Sequence, residues 1–232
     1  MHRILMSLSV FAIILSCGQV AHAQAPQTDV ALVSQMKDAP AAQKLEALAL
    51  YYDLHVSELM VQNMNELRTG ALFAKQEVIA SGGDAAQLAA VDLSTQKVLA
   101  EHAVRLEENV SLRTKLGALS GLELDDPLVM PPDAPLQAMS PPQGTPADLV
   151  QALGTAWTAL EAAKTAWQDE RLILLDAQQR YDDTRDVAIG DHMRAMTVAE
   201  AAYTKAIGAY RLIVAKIAVN AGQDLGEVLG AL

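Results

Sequence analysis

The sequence predicts an all-α fold: two long antiparallel coiled-coil helical hairpins forming an elongated four-helix bundle. Three observations carry this. The nine prolines leave two long blocks, 41–126 and 147–232, untouched. Within each block apolar residues recur in steps of three and four, the spacing of helices that pair along a seam. Each block contains one internal glycine break. Proline costs about 3 kcal/mol inside a helix, so its absence from the blocks and its density between them mark helical units and a connector.

The chain begins with a short positive head, Met1-His2-Arg3, and an uncharged stretch from Ile4 to Ser16. Ala21-His22-Ala23 then places small residues where a signal peptidase reads. This is the pattern of a secretory signal peptide over 1–23. The apolar stretch is shorter than the ~20 residues a spanning helix needs. Ile14-Leu15-Ser16-Cys17 offers an alternative reading as a lipobox, with Cys17 lipidated. Cys17 is the only cysteine, so no internal disulfide forms. An exported chain that associates with the periplasm or the periphery of the outer membrane follows. The formal net charge of −11 and the lack of a basic patch argue against nucleic acid as a partner.

An N-terminal extension (24–40) leads to hairpin 1 (41–121). Its helices are expected at 41–80 and 84–120, turning at Ser81-Gly82-Gly83-Asp84. The first seam reads Leu45, Leu48, Tyr52, Val56, Leu59, Met60, Met64, Leu67, Ala71, Ala74 and Val78. A proline-rich connector (122–146) follows. Hairpin 2 (147–225) is expected as helices at 147–188 and 191–221, broken near Ile189-Gly190-Asp191, before a short tail (226–232). The third helix carries Leu149, Leu153, Ala156, Leu160, Ala163, Trp167, Glu170, Leu174, Ala177, Tyr181, Thr184 and Ala188 on one seam. The fourth carries Met196, Ala199, Tyr203, Ala206, Tyr210, Ile213 and Ile217. Alanine at alternate seam positions lets helix axes approach closely. A glycine near the end of each block (Gly121, Gly222) completes what reads as an internal repeat.

No catalytic constellation is present, so no enzymatic activity and no cofactor are expected. There is no phosphate loop, no G-x-S-x-G and no H-E-x-x-H. Glu107-Glu108, Asp125-Asp126 and Asp182-Asp183 are adjacent acids that do not face one another on a helix. His192, Met193 and Met196 cluster beside the second break, and imidazole with thioether suits copper. Packing is the expectation for these methionines and for Met60 and Met64, because methionine fills gaps along apolar seams. His55 and His102, at or beside seams, are expected as satisfied interior histidines. Glu170, a lone acid in a seam, is a candidate register determinant. Trp157 and Trp167 read as anchors of hairpin 2 on hairpin 1, or as a partner contact.

A family resemblance follows from these residues. Ala49-Leu50-Tyr51-Tyr52-Asp53-Leu54, the turn at Gly82, Leu116-Gly117-Ala118-Leu119-Ser120-Gly121-Leu122 and Pro131-Pro132-Asp133-Ala134-Pro135-Leu136 together resemble one half of the TolC-type outer-membrane efflux family. Ala156 to Ala163, Gln179-Arg180-Tyr181 and Ala199-Glu200-Ala201-Ala202-Tyr203 repeat the pattern in the second block. The resemblance covers residues 42–225. It implies a role in efflux or transport within a multi-protein envelope assembly, a periplasmic adaptor and an inner-membrane pump as partners, and homo-oligomerisation. Ser81, Gly82, Gly83, Ile189 and Gly190 would be the hairpin tips that dock the adaptor. Two features depart from the family. The alternating ~10-residue segments of a membrane barrel are missing, so this chain alone should not span the outer membrane. The Asp that follows the tip glycine by six residues is replaced by Leu88 and Met196. A stand-alone periplasmic scaffold, or a copper-responsive sensor bundle, is the alternative reading; a monomer would favour it over the conduit.

Overall fold

A computed structural model describes residues 28–122, 124, 128, 138–184 and 189–232. The expected signal peptide and Cys17 lie outside these residues. So do 185–188 and most of the proline-rich connector, including Pro131–Leu136. Among the described residues all regular structure is helical: α1 (Asp29–Gln35), α2 (Ala41–Ala80), α3 (Ala85–Ser120), α4 (Ala147–Thr184), α5 (Ile189–Asn220) and α6 (Leu225–Gly230). At 40 residues, α2 is about 60 Å long.

Local chemistry places the boundaries. Helices α2 and α4 each start directly after a proline, Pro40 and Pro146, which has no N–H to extend a helix backward. At the first tip Gly82 takes φ 72°. Its N–H donates to the Ile79 carbonyl and the Gly83 N–H to that of Val78, a Schellman closure that a β-carbon would strain. Asp84 then caps α3 in a box with Gln87. Gly121 and Gly222 are left-handed where α3 and α5 end. The second break differs from the expectation. Helix α5 already runs at Ile189, so Gly190 lies inside its first turn. Two short helices were not legible in sequence: α1 falls in the extension, and α6 spans the boundary between hairpin 2 and the tail.

The long helices pack α2 on α3, α4 on α5, and α2 on α5. Among the described residues no comparable packing joins α3 to α4. Each packed pair is antiparallel. Gln43 reaches Leu119 while Lys75 pairs with Asp92. Trp157 meets Tyr210 while Trp167 meets Tyr203. Tyr52 approaches Gly208 while Asn63 reaches Glu200. Both tryptophan rings therefore pack against tyrosines of α5, in their own hairpin, where anchoring on hairpin 1 was expected.

Burial concentrates at one end, here called the root, where α1 and α6 sit. Leu48, Tyr51, Leu54, Leu116, Ala215, Ala218 and Leu229 form its core with Leu32 and Val33 of α1 and Met36, which caps its C-terminus. Leu153, Leu160, Tyr210, Val214 and Ile217 continue it into α4 and α5. Beyond them the buried apolar cluster of the shaft is small: Met64, Leu67 and Val98, with Met193 against them.

The α4 seam residues from Leu149 to Ala177 are all buried or half-buried, with Ala152, Trp157, Lys164 and Gln178 half-buried beside them. Helix α5 buries a second face that the apolar pattern missed: Thr197, Thr204, Arg211 and Ala218, one heptad apart. Helix α3 does the same with Thr95, His102, Asn109 and Leu116. A polar residue at a seam position costs stability but selects one register among the slips a repetitive apolar seam permits.

The α2–α5 contact rests on Gly208. A β-carbon there would lie 2.6 Å from Tyr52 Cβ, which cannot move without its helix. Gly70 of α2 has open space around it. Replacing each by alanine should therefore act in opposite directions. Gly70→Ala gains about 0.5–1 kcal/mol of helix propensity. Gly208→Ala adds about 1–3 kcal/mol of overpacking, which exceeds that gain. Urea denaturation followed by circular dichroism checks both signs.

Candidate functional site

Two regions of the molecule carry features beyond ordinary packing: a buried polar clasp at the root, and an apolar flank along the shaft and its outer helices.

The clasp joins four helices. Asp29, in the first turn of α1, is 3 % exposed, and Arg211 of α5 is 8 % exposed. The Arg211 Nε–H donates to Asp29 Oδ2 at 2.7 Å, and the Tyr52 hydroxyl of α2 donates to the same oxygen at 2.8 Å. Asp29 Oδ1 accepts the Val30 N–H at 2.9 Å. Arg211 Nη2 donates to the Leu229 carbonyl near the end of α6 at 2.9 Å. A carboxylate at one helix start and a cation at another helix's end both suit the helix dipole. Burial tends to lower the Arg211 pKa, but the Asp29 anion and Tyr52 hold it above its ordinary value. The hydroxyls of Tyr51 and Tyr52 are pushed up, first by burial and then by Asp29. A buried charge pair of this kind is tolerated because hydrogen bonds replace most of the lost water.

Beside the clasp, His55 packs edge-on against Tyr51 with ring centroids 4.6 Å apart. Burial lowers its pKa from 6.5 to about 4, with Asp29 pulling the other way. Its Nε2, like that of His102, has no hydrogen-bond partner among the described residues. The two histidines are thus interior, as expected, but not satisfied. A second cluster holds the connector. Glu58 pairs with Arg113, its Oε2 accepts the Leu128 N–H at 2.7 Å, and Arg113 also reaches the Leu124 carbonyl. Burial raises the Glu58 pKa against the pull of Arg113 and the Leu128 N–H.

The residues singled out from sequence fall elsewhere. Ser81 and Gly82 are exposed at the first tip and Gly83 is half-buried. Gly83 packs under Val78, where a β-carbon would meet Val78 Cγ1 at 2.6 Å. Ile189 and Gly190 open α5 at the same end of the molecule. Met193 lies against the Met64–Leu67–Val98 cluster, engaged in packing. His192 and Met196, four residues apart, are half-buried on the same helix. Among the described residues no group of three or more His, Cys, Asp or Glu side chains comes together to hold a metal ion. Glu170 is half-buried on the α4 seam.

Large apolar side chains face solvent along the flank. Leu93, Leu99, Val104, Leu106 and Val110 do so on α3, and Leu172, Ile173 and Leu175 on α4. Leu72, Phe73 and Ile79 extend the set along the shaft of α2, and Val198 lies on α5. Exposure reaches 61 % at Val110, 65 % at Leu172 and 64 % at Val198. On α3, Leu99, Ala103, Leu106 and Val110 alternate steps of four and three, a second seam beside the one used by α2. Contiguous exposed apolar patches mark interaction surfaces, ligand grooves or aggregation-prone sites. No described helix is long and apolar enough to cross a membrane. No protein-family model matches the chain, and no curated protein or solved structure is detectably similar to it.

Asp29→Ala should lower stability by about 3–5 kcal/mol by leaving Arg211 buried and unpaired, whereas the pair Asp29→Leu with Arg211→Met should recover most of that loss; urea titrations of the three variants make the comparison. Because the folded state depresses the His55 pKa, its contribution is fully present above 6.5 and fades as pH falls from 6.5 toward about 4. His55→Phe should therefore flatten the stability–pH curve in that window, which thermal melts from pH 7 to 4 would show.

Proposed function

We propose that this chain is an exported, non-enzymatic helical component of a bacterial envelope assembly, built like the helical portion of TolC-type efflux channels and acting in transport through assembly rather than chemistry. In this reading α2/α3 and α4/α5 are two antiparallel coiled-coil hairpins of one elongated bundle, held in the periplasm or at the periphery of the outer membrane. The N-terminal pattern of a charged head, an uncharged stretch and Ala21-His22-Ala23 supports export. The observation that carries the assembly is the distribution of apolar surface. The root buries its core, while the outer helices α3 and α4 and the shaft leave large apolar side chains in solvent at helical spacing. A self-sufficient bundle would turn those side chains inward. A chain designed to pair with more helices has to leave them outside until it does.

The tips follow from the same geometry. The Gly82 turn and the start of α5 lie at the end remote from the root, the part of each hairpin free to meet an adaptor. The pump and adaptor named by the resemblance are the partners this reading requires, alongside further copies of the chain.

Photo-crosslinking in cells from Ser81 and Ile189, with mid-helix Gln96 as control, together with light scattering on the purified protein, tests the proposal. Capture of an envelope protein from the tips but not from Gln96, and a particle larger than one chain, is the expected result. A soluble monomer with no captured partner from either tip would overturn the conduit reading and leave the stand-alone scaffold. Within the oligomer, Leu106→Glu with Val110→Glu should weaken association at least tenfold while leaving helicity unchanged, because both side chains are exposed in the single chain and a charge is costly only once covered.

A further inference from the structure

We propose that α1 is a strap that docks on the root and leaves it as a single unit, ahead of any unfolding of the long helices, with the Arg211 guanidinium as its catch. The inference stands apart from the envelope assignment and rests on how α1 is attached. It is seven residues long and continues into α2 through Met36–Pro40, where Lys37 and Asp38 are exposed. The Leu32 and Met36 N–H groups donate within the segment, to Thr28 and Leu32, so the helix keeps these hydrogen bonds when it lifts. Its hold on the root is the Asp29 carboxylate, the apolar side chains of Val30, Leu32, Val33 and Met36, and a hydrogen bond from Lys44 of α2 to the Lys37 carbonyl.

The catch is built to open without stranding a charge. Arg211 uses one edge for Asp29 and another for the Leu229 carbonyl on α6. When α1 lifts, the guanidinium keeps its α6 partner and gains water on the face α1 covered. Asp29 gains water at the same moment. This differs from deleting one partner by mutation, which leaves the other buried and alone. The packing of α4 on α5 does not use α1, because Val214, Ile217 and Tyr210 are buried with Leu153 and Leu160 of α4 in a separate cluster. Elements with few anchors open locally at lower free energy than the core.

Closed, the strap covers an apolar trough on α2, α5 and α6 that ends at a cation. The segment that fits it carries a carboxylate in its first turn and apolar residues three, four and seven positions later, as Asp29, Leu32, Val33 and Met36 do. Opening would present that trough at the root while the shaft and tips stayed folded.

Hydrogen exchange with mass spectrometry on the full chain tests this. Amides of 30–36 should exchange at least about tenfold faster than those of 212–219 in α5. Tyr52→Phe should speed α1 exchange modestly and Asp29→Asn strongly, each by a larger factor than it speeds exchange in α5, and for Asp29→Asn by at least about tenfold more. Asparagine keeps the size of the side chain, and proteolysis after Lys37, accelerated in the same order, provides a second readout. Equal protection of α1 and α5 in the native protein would overturn the proposal. So would a uniform rise across all four long helices in Asp29→Asn, because α1 would then be an integral part of the root.

Discussion

Arg211 is the side chain on which the root depends. It sits on the one long helix that contacts both α2 and α4, and it binds a carboxylate from α1 and a carbonyl from α6. A charge taken that far from water demands partners at fixed positions, which an apolar residue would not. The two short helices are therefore located by hydrogen bonds, and their apolar faces then close the core around Tyr51 and Leu48. With Tyr52 on the same carboxylate, one ion pair sets the relation among α1, α2, α5 and α6.

From that end the molecule becomes progressively less self-contained. The root buries side chains from every described helix. The shaft holds a small cluster and otherwise alternates alanine-rich contact with apolar residues left in solvent. Long helices with thin seams stay folded because each residue added extends an existing hydrogen-bonded helix and its neighbour's groove. Their outer stripes remain without cover in the single chain. This division gives the proposed role its physical content: a root that buries its apolar side chains and a shaft that leaves many of them exposed. The buried polar heptads, Thr95–His102–Asn109 and Thr197–Thr204–Arg211, fit the same logic. Repetitive alanine and leucine seams tolerate slippage, and polar layers oppose it.

Helix content was legible because it follows from local rules. The proline-free blocks, the Gly82 turn and the α4 seam from Leu149 to Ala177 were all read correctly from spacing alone. The short helices were not, because seven or six residues give no detectable period. The second face of α5 was missed for another reason. Thr, Gly and Arg look solvated in a pattern search, and only the neighbouring helix shows that Gly208 sits on Tyr52 and that Arg211 is enclosed. Nothing in the spacing of Asp29 and Arg211, 182 positions apart, suggests that they meet.

The sequence by itself therefore determined which segments are helical, where hairpin 1 turns and which stripe of α4 faces inward, since backbone sterics, hydrogen bonding and side-chain period act over a few residues. Only the tertiary structure decided which hairpin each tryptophan anchors, which polar side chains are buried, and that α2 meets α5 while α3 and α4 stay on the outside. Those outcomes depend on the pairing of surfaces far apart in the chain. There, the space a single missing β-carbon leaves or the partner of one buried charge selects among arrangements that the local pattern allows equally.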